Sequence, residues 1–504
     1  MTQGMLKNSL ANFLGAAIPA VANLIAVPLL VHNLGVEDYG LLTLVLALVG
    51  YFALLDINAT QGSVRFIAEY DAAGRSEQAN EVISFSLTIY LIIGSTGLIL
   101  IWLSAPAMID HLFAIPEARE GTALVTLRLA GIAFLFSQLQ AYLVTIPQAM
   151  QQYRISAATE ALFGTAAPLL SALVSVLGYG IEMVVLARLV LSVLNVFILW
   201  LLVHLLRPDL TFVSATKETA GKLISFSAYS FMARIAAVSH AHMDRLILGM
   251  LLGVAHITYY SIPVTLCNRL FGMTYRLGSV IYPAISRLKT RGSLDQVQGM
   301  YLTTSRYLTA VNGYLALIMF VYGKELLRLW VGPEFVREGY PVLVVATTAM
   351  MIDSLSNLPS LMNDAIGHPR VTGYFAIARA VTGVGLLTAG TVVAGIIGTA
   401  AGHLLGSLLV TATFLLYVHG RKGSVPVDFK RLLLQAYLPS FVVGSLTAAV
   451  ASITKPDTPA SLPSLLPHGL FVSLLYLILA LFLLVDSGHR AWLLARLRIW
   501  RAGV

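Results

Sequence analysis

Short polar breaks divide the sequence into about fourteen apolar segments of roughly 17 to 29 residues. A helix of that length, rising about 1.5 Å per residue, crosses the roughly 30 Å of hydrocarbon in a bilayer. The sequence therefore predicts an all-α integral membrane protein with about fourteen transmembrane helices. The predicted spans are 9–31, 40–64, 82–104, 122–146, 157–178, 182–206, 223–251, 257–285, 300–322, 340–362, 371–394, 397–418, 432–453 and 469–486.

Composition supports a lipid environment. Charged residues make up 11% of the chain and hydrophobic residues 58%, and the mean hydropathy is +0.82. An ordinary globular domain has about 25% charged residues. The single cysteine, Cys267, excludes an intrachain disulfide and a metal centre built from several cysteines. The first span follows only one positive charge, Lys7, and is long enough to cross the membrane, so it is not expected to be a cleaved signal peptide.

The membrane pattern occurs twice along the chain, with the second copy about 217 residues after the first. The stretch Leu112–Glu117 returns as Leu329–Glu334, and the tripeptide Leu34–Val36 returns as Leu252–Val254. Many transporters use such repeats to build two lobes around one substrate site. We therefore expect two pseudo-symmetric six-helix lobes around a central cavity, residues 1–210 and 211–420, followed by two more helices and a basic tail in residues 421–504.

Lysine and arginine residues indicate the orientation of the chain. Of the 32 positive residues, 19 lie in one set of connections and 6 in or beside the other set. Because cytoplasmic loops carry the positive excess, both termini are expected in the cytoplasm. The net charge of +8 is then mainly a topology signal. The basic tail from Arg490 to Arg501 is expected to anchor at the membrane surface and not to bind nucleic acid.

Seven arginines lie within the predicted spans. An arginine at the bilayer centre costs about 2.5 to 3.5 kcal/mol, so several of them must face water, a charged partner or a ligand. Arg269 and Arg276 are seven residues apart in the eighth span and share a helix face, and Arg234 lies near the middle of the seventh span. The full set is Arg128, Arg188, Arg234, Arg269, Arg276, Arg306 and Arg379.

Polar faces occupy the equivalent spans of the first half. Tyr51, Asn58 and Arg65 share a face of the second span, and Asn12 and Asn23 form a polar stripe in the first. The first, second, seventh and eighth spans together predict a cationic, partly hydrated cavity whose natural ligand is an anion. The predicted substrate-binding residues are Arg234, Arg269, Arg276, Arg65, Asn58, Asn12, Asn23 and Tyr51.

Some of these charges also have a structural interpretation. Arg128 and Arg188 lie about two turns from the outer surface, where snorkelling or an ion pair with Glu182 would satisfy them. Arg306, near the cytoplasmic end of its span, is expected to be structural, and Arg379 is open between the two interpretations.

The acidic and histidine residues near the spans have alternatives too. Asp56, Asp244 and Asp353 could each be a salt-bridge partner or a helix cap instead of a proton carrier. His240, His242 and His256 lack an acidic cluster at ligand spacing, so no metal site is expected.

Ordered motifs over essentially the whole chain resemble those of a known family. They are Asn8 to Leu30, Leu34 to Leu41, Leu55-Asp56 with Arg65 behind it, Asp244-Arg245 before Leu252-Gly253, and Tyr282-Pro283 before Ser286-Arg287-Leu288. In this order they resemble the Wzx-type polysaccharide flippases. These flippases belong to the superfamily of multidrug, oligosaccharidyl-lipid and polysaccharide (MOP) exporters.

The resemblance implies both a fold and an activity. The fold is two six-helix lobes around a V-shaped cavity. The activity is transfer of an undecaprenyl-pyrophosphate-linked oligosaccharide from the cytoplasmic to the periplasmic leaflet of the bacterial inner membrane, and the cavity arginines would meet the pyrophosphate. One departure is that the first span has no arginine, whereas related lipid II flippases carry cationic residues there. Asn12 and Asn23 would offer only hydrogen bonds.

Two other functions compete with the flippase. A multidrug antiporter of the same superfamily exports cations, so an acidic cavity would be expected, and the predicted cavity is basic. A polyprenyl-dependent glycosyltransferase or polymerase would use an acidic pair such as Glu37-Asp38, but the loop from His32 to Tyr39 is too short to build a sugar site. Nothing in the sequence requires a covalent step, so no enzyme activity and no cofactor are expected.

Resetting the transporter is expected to need an ion. An empty cavity lined by fixed arginines returns against the inside-negative potential, which is worth about 2.3 kcal/mol per charge per 100 mV. Asp56 or Asp244 could bind a proton or a sodium ion for this step, whereas the span of Asp353 is expected to lie outside the cavity. The other expected partners are the bilayer and the polymerase or export machinery of the same pathway, and the sequence does not specify the glycan.

Overall fold

The computed structural model describes residues 3–56, 59–279, 285, 287, 293–420, 423–456 and 462–491, except for the side chains at 3–17, 226–233, 236, 276, 277, 279 and 462. Within this part of the chain every regular element is helical, so the predicted all-α class is confirmed. The helices are α1 (Gln3–Phe52), α2 (Ala59–Ala72), α3 (Ser76–Ala107), α4 (Glu117–Leu143), α5 (Thr145–Ala149), α6 (Tyr153–Val176), α7 (Ile181–Leu206), α8 (Lys217–Leu251), α9 (Val254–Ser279), α10 (Leu294–Trp330), α11 (Glu334–Ala365), α12 (Pro369–Val418), α13 (Phe429–Leu432), α14 (Leu438–Thr454) and α15 (Leu462–Leu483).

The chain forms two compact units. The N-terminal unit contains Met1–Ile262 and Ala380–Thr399, and the C-terminal unit contains Pro263–Arg379 and Ala400–Val504. The helix α8, which begins the second sequence repeat, therefore belongs to the N-terminal unit. The lobe boundaries at residues 210 and 420, drawn from the repeat, stay a prediction.

Among the described residues, ten helical stretches are long and apolar enough to cross a membrane. Two of them each contain two predicted spans. The helix α1 is two helices that meet at Gly35, where φ is 82°, and α12 is two helices that meet at Gly395, where φ is 59°. Only glycine adopts these angles without strain. Each joint lies between two predicted spans. Gly35 separates 9–31 from 40–64, and Gly395 separates 371–394 from 397–418.

The second predicted span, 40–64, is not one continuous helix. The helix α1 ends at Phe52, Ala53–Leu55 form a 3-10 turn, and Asp56 has an extended backbone with ψ of 112°. The helix α2 then begins at Ala59. Aspartate and asparagine side chains compete for backbone hydrogen bonds and are weak helix formers, which favours a break at Asp56 and Asn58. The hydropathy of this segment did not indicate the break in the helix.

Buried tyrosines organise the core of the N-terminal unit, where α3 packs on α4, α1 on α6 and α4 on α7. Tyr90 and Tyr142 are fully buried and stack with ring centroids 5.3 Å apart. The Tyr142 hydroxyl donates to the carbonyl oxygen of Ile83 at 3.2 Å. A buried phenol is stable only when its hydroxyl is satisfied, so these bonds fix the register of α3 and α4.

Polar contacts clamp the connector after α7 to the same unit. Arg207 is 4% exposed and its two Nη atoms donate to the carboxylate of Asp71 at 2.9 and 3.0 Å. Its Nε donates to Asn80 Oδ1 at 2.9 Å, and Asn80 donates in turn to the backbone oxygen of Asp209. This bidentate geometry is the strong form of an arginine–carboxylate pair.

The clamp continues to the first turn of α8. Glu81 Oε2 accepts hydrogen bonds from the backbone nitrogen and the hydroxyl of Thr216 and from the hydroxyl of Thr219, at 2.8 to 3.1 Å. The Thr216 hydroxyl also accepts from the backbone nitrogen of Thr219, which makes it the N-cap of α8. The start of α8 is therefore fixed to α3, although it follows the connector between the repeats.

The C-terminal unit has its own core, formed where α10 packs on α11 and α14 and where α14 packs on α15. Tyr301 is fully buried among Leu358, Met362 and Phe414. The hydroxyl of Tyr476 donates to the carbonyl oxygen of Ala310 at 2.6 Å, which ties α15 to α10. The two helices beyond the repeats are thus an integral part of this unit.

Large apolar side chains remain exposed along the helices of both units. Leu103 is 73% exposed, Leu205 76%, Val393 84% and Ile453 84%. Soluble proteins rarely expose so many such residues, whereas lipid tails are their natural surroundings. With the ten apolar helices, this surface identifies a multi-pass membrane protein.

The clamp on the connector predicts an effect on stability. Replacing Asp71→Ala removes the bidentate partner of the buried Arg207 and leaves Asp209 Oδ1, 3.9 Å from Arg207 Nε, as the weaker one, which costs about 3 kcal/mol, the low end for a broken buried pair. We expect a clear drop in the melting temperature of the purified protein in detergent. The exposed pair Lys222–Glu218 is the matched control, and Glu218→Ala should change the melting temperature little. Equal effects of the two substitutions would contradict the clamp.

Candidate functional site

A buried ion pair lies at the break in the second span. Asp56 Oδ2 is 3.0 Å from Arg234 Nη2, and the side chains are 2% and 32% exposed. The second oxygen of Asp56 accepts a hydrogen bond from the hydroxyl of Tyr90 at 2.7 Å. The break at Asp56, α3 and α8 therefore meet at one carboxylate.

Two of the predicted site residues, Arg234 and Asp56, are the two members of this ion pair. Arg234 was expected to be a cavity cation and Asp56 a coupling acid, and the structure shows each as the partner of the other. An unpaired charge at this depth would be costly, so each residue is stabilised by the other. Asp56 can take up another cation only if Arg234 moves away from it.

The remaining predicted residues of the first half are not joined by one helix face. The shared face of Tyr51, Asn58 and Arg65 assumed an unbroken helix, and Asn58 lies outside the described residues. Tyr51 is half-buried, and Arg65 is exposed with its guanidinium 5.5 Å from the ring of Phe66. The spacing argument therefore does not carry across the break.

The first span offers one described residue. Asn23 is half-buried and its amide donates to the carbonyl oxygen of Pro19 in its own helix, at 3.2 Å. The side chain of Asn12 lies outside the described residues. Both residues stay predictions as ligands of the substrate.

Arg269 lies in the C-terminal unit, in the part of α9 that follows Ile262. Its side chain is exposed, and among the described residues no carboxylate lies within 4.0 Å of its guanidinium. The side chain of Arg276, on the same helix, is outside the description. Arg269 is therefore without a carboxylate partner in the part of the chain that the structure describes, and its role as an anion ligand stays a prediction.

Asp244, the second predicted coupling acid, is paired locally. It is 7% exposed and accepts hydrogen bonds from the backbone nitrogen of Arg245 at 2.8 Å and from Nη1 of the same residue at 3.2 Å. The carboxylate of Asp244 is therefore satisfied by its neighbour Arg245, near the end of α8 and the predicted outer surface.

Two of the other arginines within spans are paired with aspartates in the C-terminal unit. Arg379 contacts Asp353 and donates to the Thr411 hydroxyl at 2.9 Å, and His403 Nε2 lies 3.3 Å from the second oxygen of Asp353. In the same unit Arg306 pairs with Asp486. These contacts support the structural interpretation of Arg306. For Arg379, whose role the sequence left open, they show an ion pair.

The two repeated Leu-Gly-Val motifs contact each other in the N-terminal unit. The hydroxyl of Thr258 donates to the carbonyl oxygen of Val36 at 2.6 Å. Reciprocally, Gly40 lies so close to Val254 that a Cβ atom on Gly40 would be 1.9 Å from the Val254 carbonyl oxygen. Gly40 follows Val36 by four residues and Thr258 follows Val254 by four. In both contacts, therefore, the residue four positions after the valine of one copy meets the valine of the other copy.

Further contacts join this region to the turn before α4. The backbone nitrogen of Ala114 donates to the carbonyl oxygen of Gly249 at 2.9 Å. Arg119 Nη1 is 3.1 Å from Asp38 Oδ2, and its Nε is 3.6 Å from Glu37. The acidic pair after the first span is thus a partner of Arg119, which agrees with a structural role. We name the contacts of Val36, Gly40, Val254 and Thr258 the motif junction.

The comparison with known families decides the affiliation. The profile of a family described as polysaccharide biosynthesis protein matches residues 5–289, more than half of the chain. The chain belongs to this family. A relative from Shigella flexneri, named "Putative O-antigen transporter", is 22% identical over 435 residues, covering 84% of this chain and 99% of the relative. The resemblance to Wzx-type polysaccharide flippases is confirmed.

Solved structures show the same fold for this member of the polysaccharide biosynthesis protein family. The lipid II flippase MurJ, in an inward closed conformation, matches with a TM-score of 0.72 at 14% identity over 94% of this chain and 98% of MurJ. An inward-facing multidrug resistance MATE family transporter of the MOP superfamily matches with a TM-score of 0.64 at 14% identity, over 89% and 100% of the chains. The predicted MOP superfamily fold is confirmed.

The ion pair at Asp56 predicts the outcome of a double-mutant cycle. Asp56→Asn and Arg234→Gln each remove one half of the ion pair and should lower the yield of folded protein, whereas the double variant should recover it. If Arg234 also binds the substrate, the double variant should fold but fail to export glycan. Folding is measured by gel filtration in detergent, and export by complementation of a flippase-null strain. Full export by the double variant would contradict a transport role.

The motif junction predicts how a larger residue at position 40 acts. Gly40→Leu should force the two turns apart, because its side chain would overlap Val254. In this variant a cysteine is also introduced by Thr258→Cys, at a position that is fully buried. This cysteine should react faster with a membrane-impermeant maleimide added to spheroplasts than the same cysteine does when residue 40 is glycine. Gly121→Leu, where a side chain meets open space, is the control. Labelling at the control rate would show that the junction does not close this surface.

Proposed function

We propose that this protein flips an undecaprenyl-pyrophosphate-linked oligosaccharide from the cytoplasmic to the periplasmic leaflet of a bacterial inner membrane. The observation that carries the proposal is the family match together with the Shigella flexneri relative, whose name describes O-antigen transport. The likeness to the lipid II flippase supplies a fold in which a lipid-linked substrate is moved. Such a step breaks no covalent bond, so no catalytic residue, cofactor or metal forms part of the proposal.

The pyrophosphate is proposed to bind the arginines of the seventh and eighth spans. Arg269 has an exposed guanidinium with no carboxylate near it in the described part of the chain. Arg276 shares its helix face by sequence spacing. Guanidinium groups bind phosphate oxygens through paired hydrogen bonds, which are strong in a site of low dielectric. Arg65, Asn23, Asn12, Asn58 and Tyr51 are proposed to add polar contacts to the pyrophosphate or the glycan.

Arg234 is proposed to couple the anion to an ion. Its guanidinium is half-exposed and holds Asp56, so a pyrophosphate that attracts Arg234 weakens its bond to Asp56. Asp56 would then accept a proton or a sodium ion, because a buried carboxylate that loses its arginine is costly. Release of the anion would return Arg234 to Asp56 and expel the cation. Asp244 remains the second candidate for ion binding.

Alternating access is proposed to open and close the motif junction. The junction joins the turn after the first span to the turn between α8 and α9, which lie at the outer surface in the topology with cytoplasmic termini. Opening it would break the Thr258 hydrogen bond and the close approach of Gly40 to Val254. The oligosaccharide would leave on that side.

Loss of the pyrophosphate ligands predicts loss of export. Arg269→Ala and Arg276→Ala should each abolish or strongly reduce glycan export in a flippase-null strain without preventing membrane insertion, because each removes a charge-assisted partner of the pyrophosphate. Lysine at either position should restore part of the export. Arg431→Ala is the control, since this exposed arginine lies on α13 and not on α9. Wild-type export by both alanine variants would disprove the assignment.

A further inference from the structure

Arg188 is a guanidinium within a predicted span that has no acidic partner in the described part of the chain. Its Nε donates to the hydroxyl of Ser171 at 2.8 Å, which joins α7 to α6. No carboxylate lies within 4.0 Å of it among the described residues, and Glu182, the expected partner, forms no ion pair with it. A neutral hydroxyl orients the guanidinium but leaves its charge uncompensated.

The contrast with other arginines in the spans is informative. Arg234, Arg306 and Arg379 each have an aspartate within bonding distance. Arg188 is half-buried and lies about two turns from the predicted outer surface, and its bond to Ser171 holds the guanidinium against the protein. A charge kept at this depth without a protein counter-ion is expected to meet an anion from outside the protein.

The surroundings of Arg188 fit an oxyanion. The phenol of Tyr39 interacts electrostatically with both Arg188 and Arg245. Arg245 is already neutralised by Asp244, through Nη1 and Oδ1 at 3.2 Å. The group of two arginines and one aspartate therefore keeps one positive charge, with the phenol as an additional hydrogen-bond donor. All of these residues belong to the N-terminal unit.

We propose that Arg188 and Tyr39 form an outer subsite for a phosphate oxyanion, separate from Arg269 and Arg276. This proposal rests on the proposed function, because the transported lipid pyrophosphate is one source of the anion. The headgroups of bilayer phospholipids are the other source. Phosphate suits the site because its several oxygens accept from a guanidinium fork and a phenol together.

The position of Tyr39 gives the subsite a part in release. Tyr39 lies in the turn between Val36 and Gly40, the two residues through which the first span takes part in the motif junction. An anion bound between Tyr39 and Arg188 therefore contacts the element that must move when the junction opens. The pyrophosphate would occupy this subsite before leaving the protein.

The test measures binding of inorganic pyrophosphate to the purified full-length protein by calorimetry in maltoside detergent. The Arg269→Ala/Arg276→Ala double variant removes the first site and serves as the background. We expect residual binding in this background, weakened at least tenfold by Arg188→Gln and severalfold by Ser171→Ala, which keeps the charge but loses its orienting bond. Arg188→Lys should retain part of the affinity.

Arg128→Gln is the matched control. Arg128 also lies within a span of the same unit, without a carboxylate nearby in the described residues, but its guanidinium rests on the ring of Trp102 at 5.2 Å. This substitution should leave pyrophosphate binding unchanged. Absence of binding in the background, or binding that Arg188→Gln does not weaken, overturns the outer subsite.

Repeating the titrations in phospholipid nanodiscs distinguishes the two sources of phosphate. Unchanged affinity, together with reduced glycan export by Arg188→Gln in cells, assigns the subsite to the transported lipid. Loss of affinity in nanodiscs with unchanged export assigns it to bilayer headgroups. Failure of the proposed function is separate, because it would appear as a wild-type protein that binds pyrophosphate but moves no lipid-linked glycan in proteoliposomes.

Discussion

The ion pair of Asp56 with Arg234 is the interaction on which the arrangement of the N-terminal unit depends. A carboxylate buried in a bilayer needs a cation and hydrogen-bond donors, and a helix rarely supplies both from its own residues. The break after Phe52 turns Asp56 toward Arg234 of α8 and Tyr90 of α3. The local loss of helix is thus compensated by contacts between elements far apart in sequence. Broken helices at such sites are common where transporters bind ions or substrates.

The repeat has a physical role beyond topology. Its Leu-Gly-Val turns contact each other, and the residue four positions after each valine faces the valine of the other copy. One copy places a glycine there and the other a threonine, so a close backbone approach on one side is matched by a hydrogen bond on the other. A duplicated sequence can build such an interface because each copy already has the shape that the other must fit. The asymmetry of Gly40 and Thr258 makes the fit specific.

Much of the fold could be predicted from the sequence, and less of the site. Hydropathy predicted the membrane helices, because it depends on local composition, and the structure then showed joints at Gly35 and Gly395 in the gaps between predicted spans. The break near Asp56 was not predicted. A single polar residue in an apolar run does not show which distant residue it will pair with, and so does not show that the helix must end there to reach that partner. Asp353 was expected outside the cavity, but its pairing with Arg379 and His403 could not be predicted, since spacing along one helix says nothing of a neighbouring helix.

The shared fold does not determine what is transported. A MATE transporter and a lipid II flippase both match this chain, so substrate class must follow from the side chains that face the path. Paired charges such as Asp56 with Arg234 present little net charge, whereas Arg188 and Arg269 have no carboxylate within 4.0 Å in the described residues. Each such arginine repels a cationic drug and attracts a phosphate. The balance between paired and unpaired arginines, more than their number, is therefore the property on which the proposed transport of an anionic lipid carrier depends.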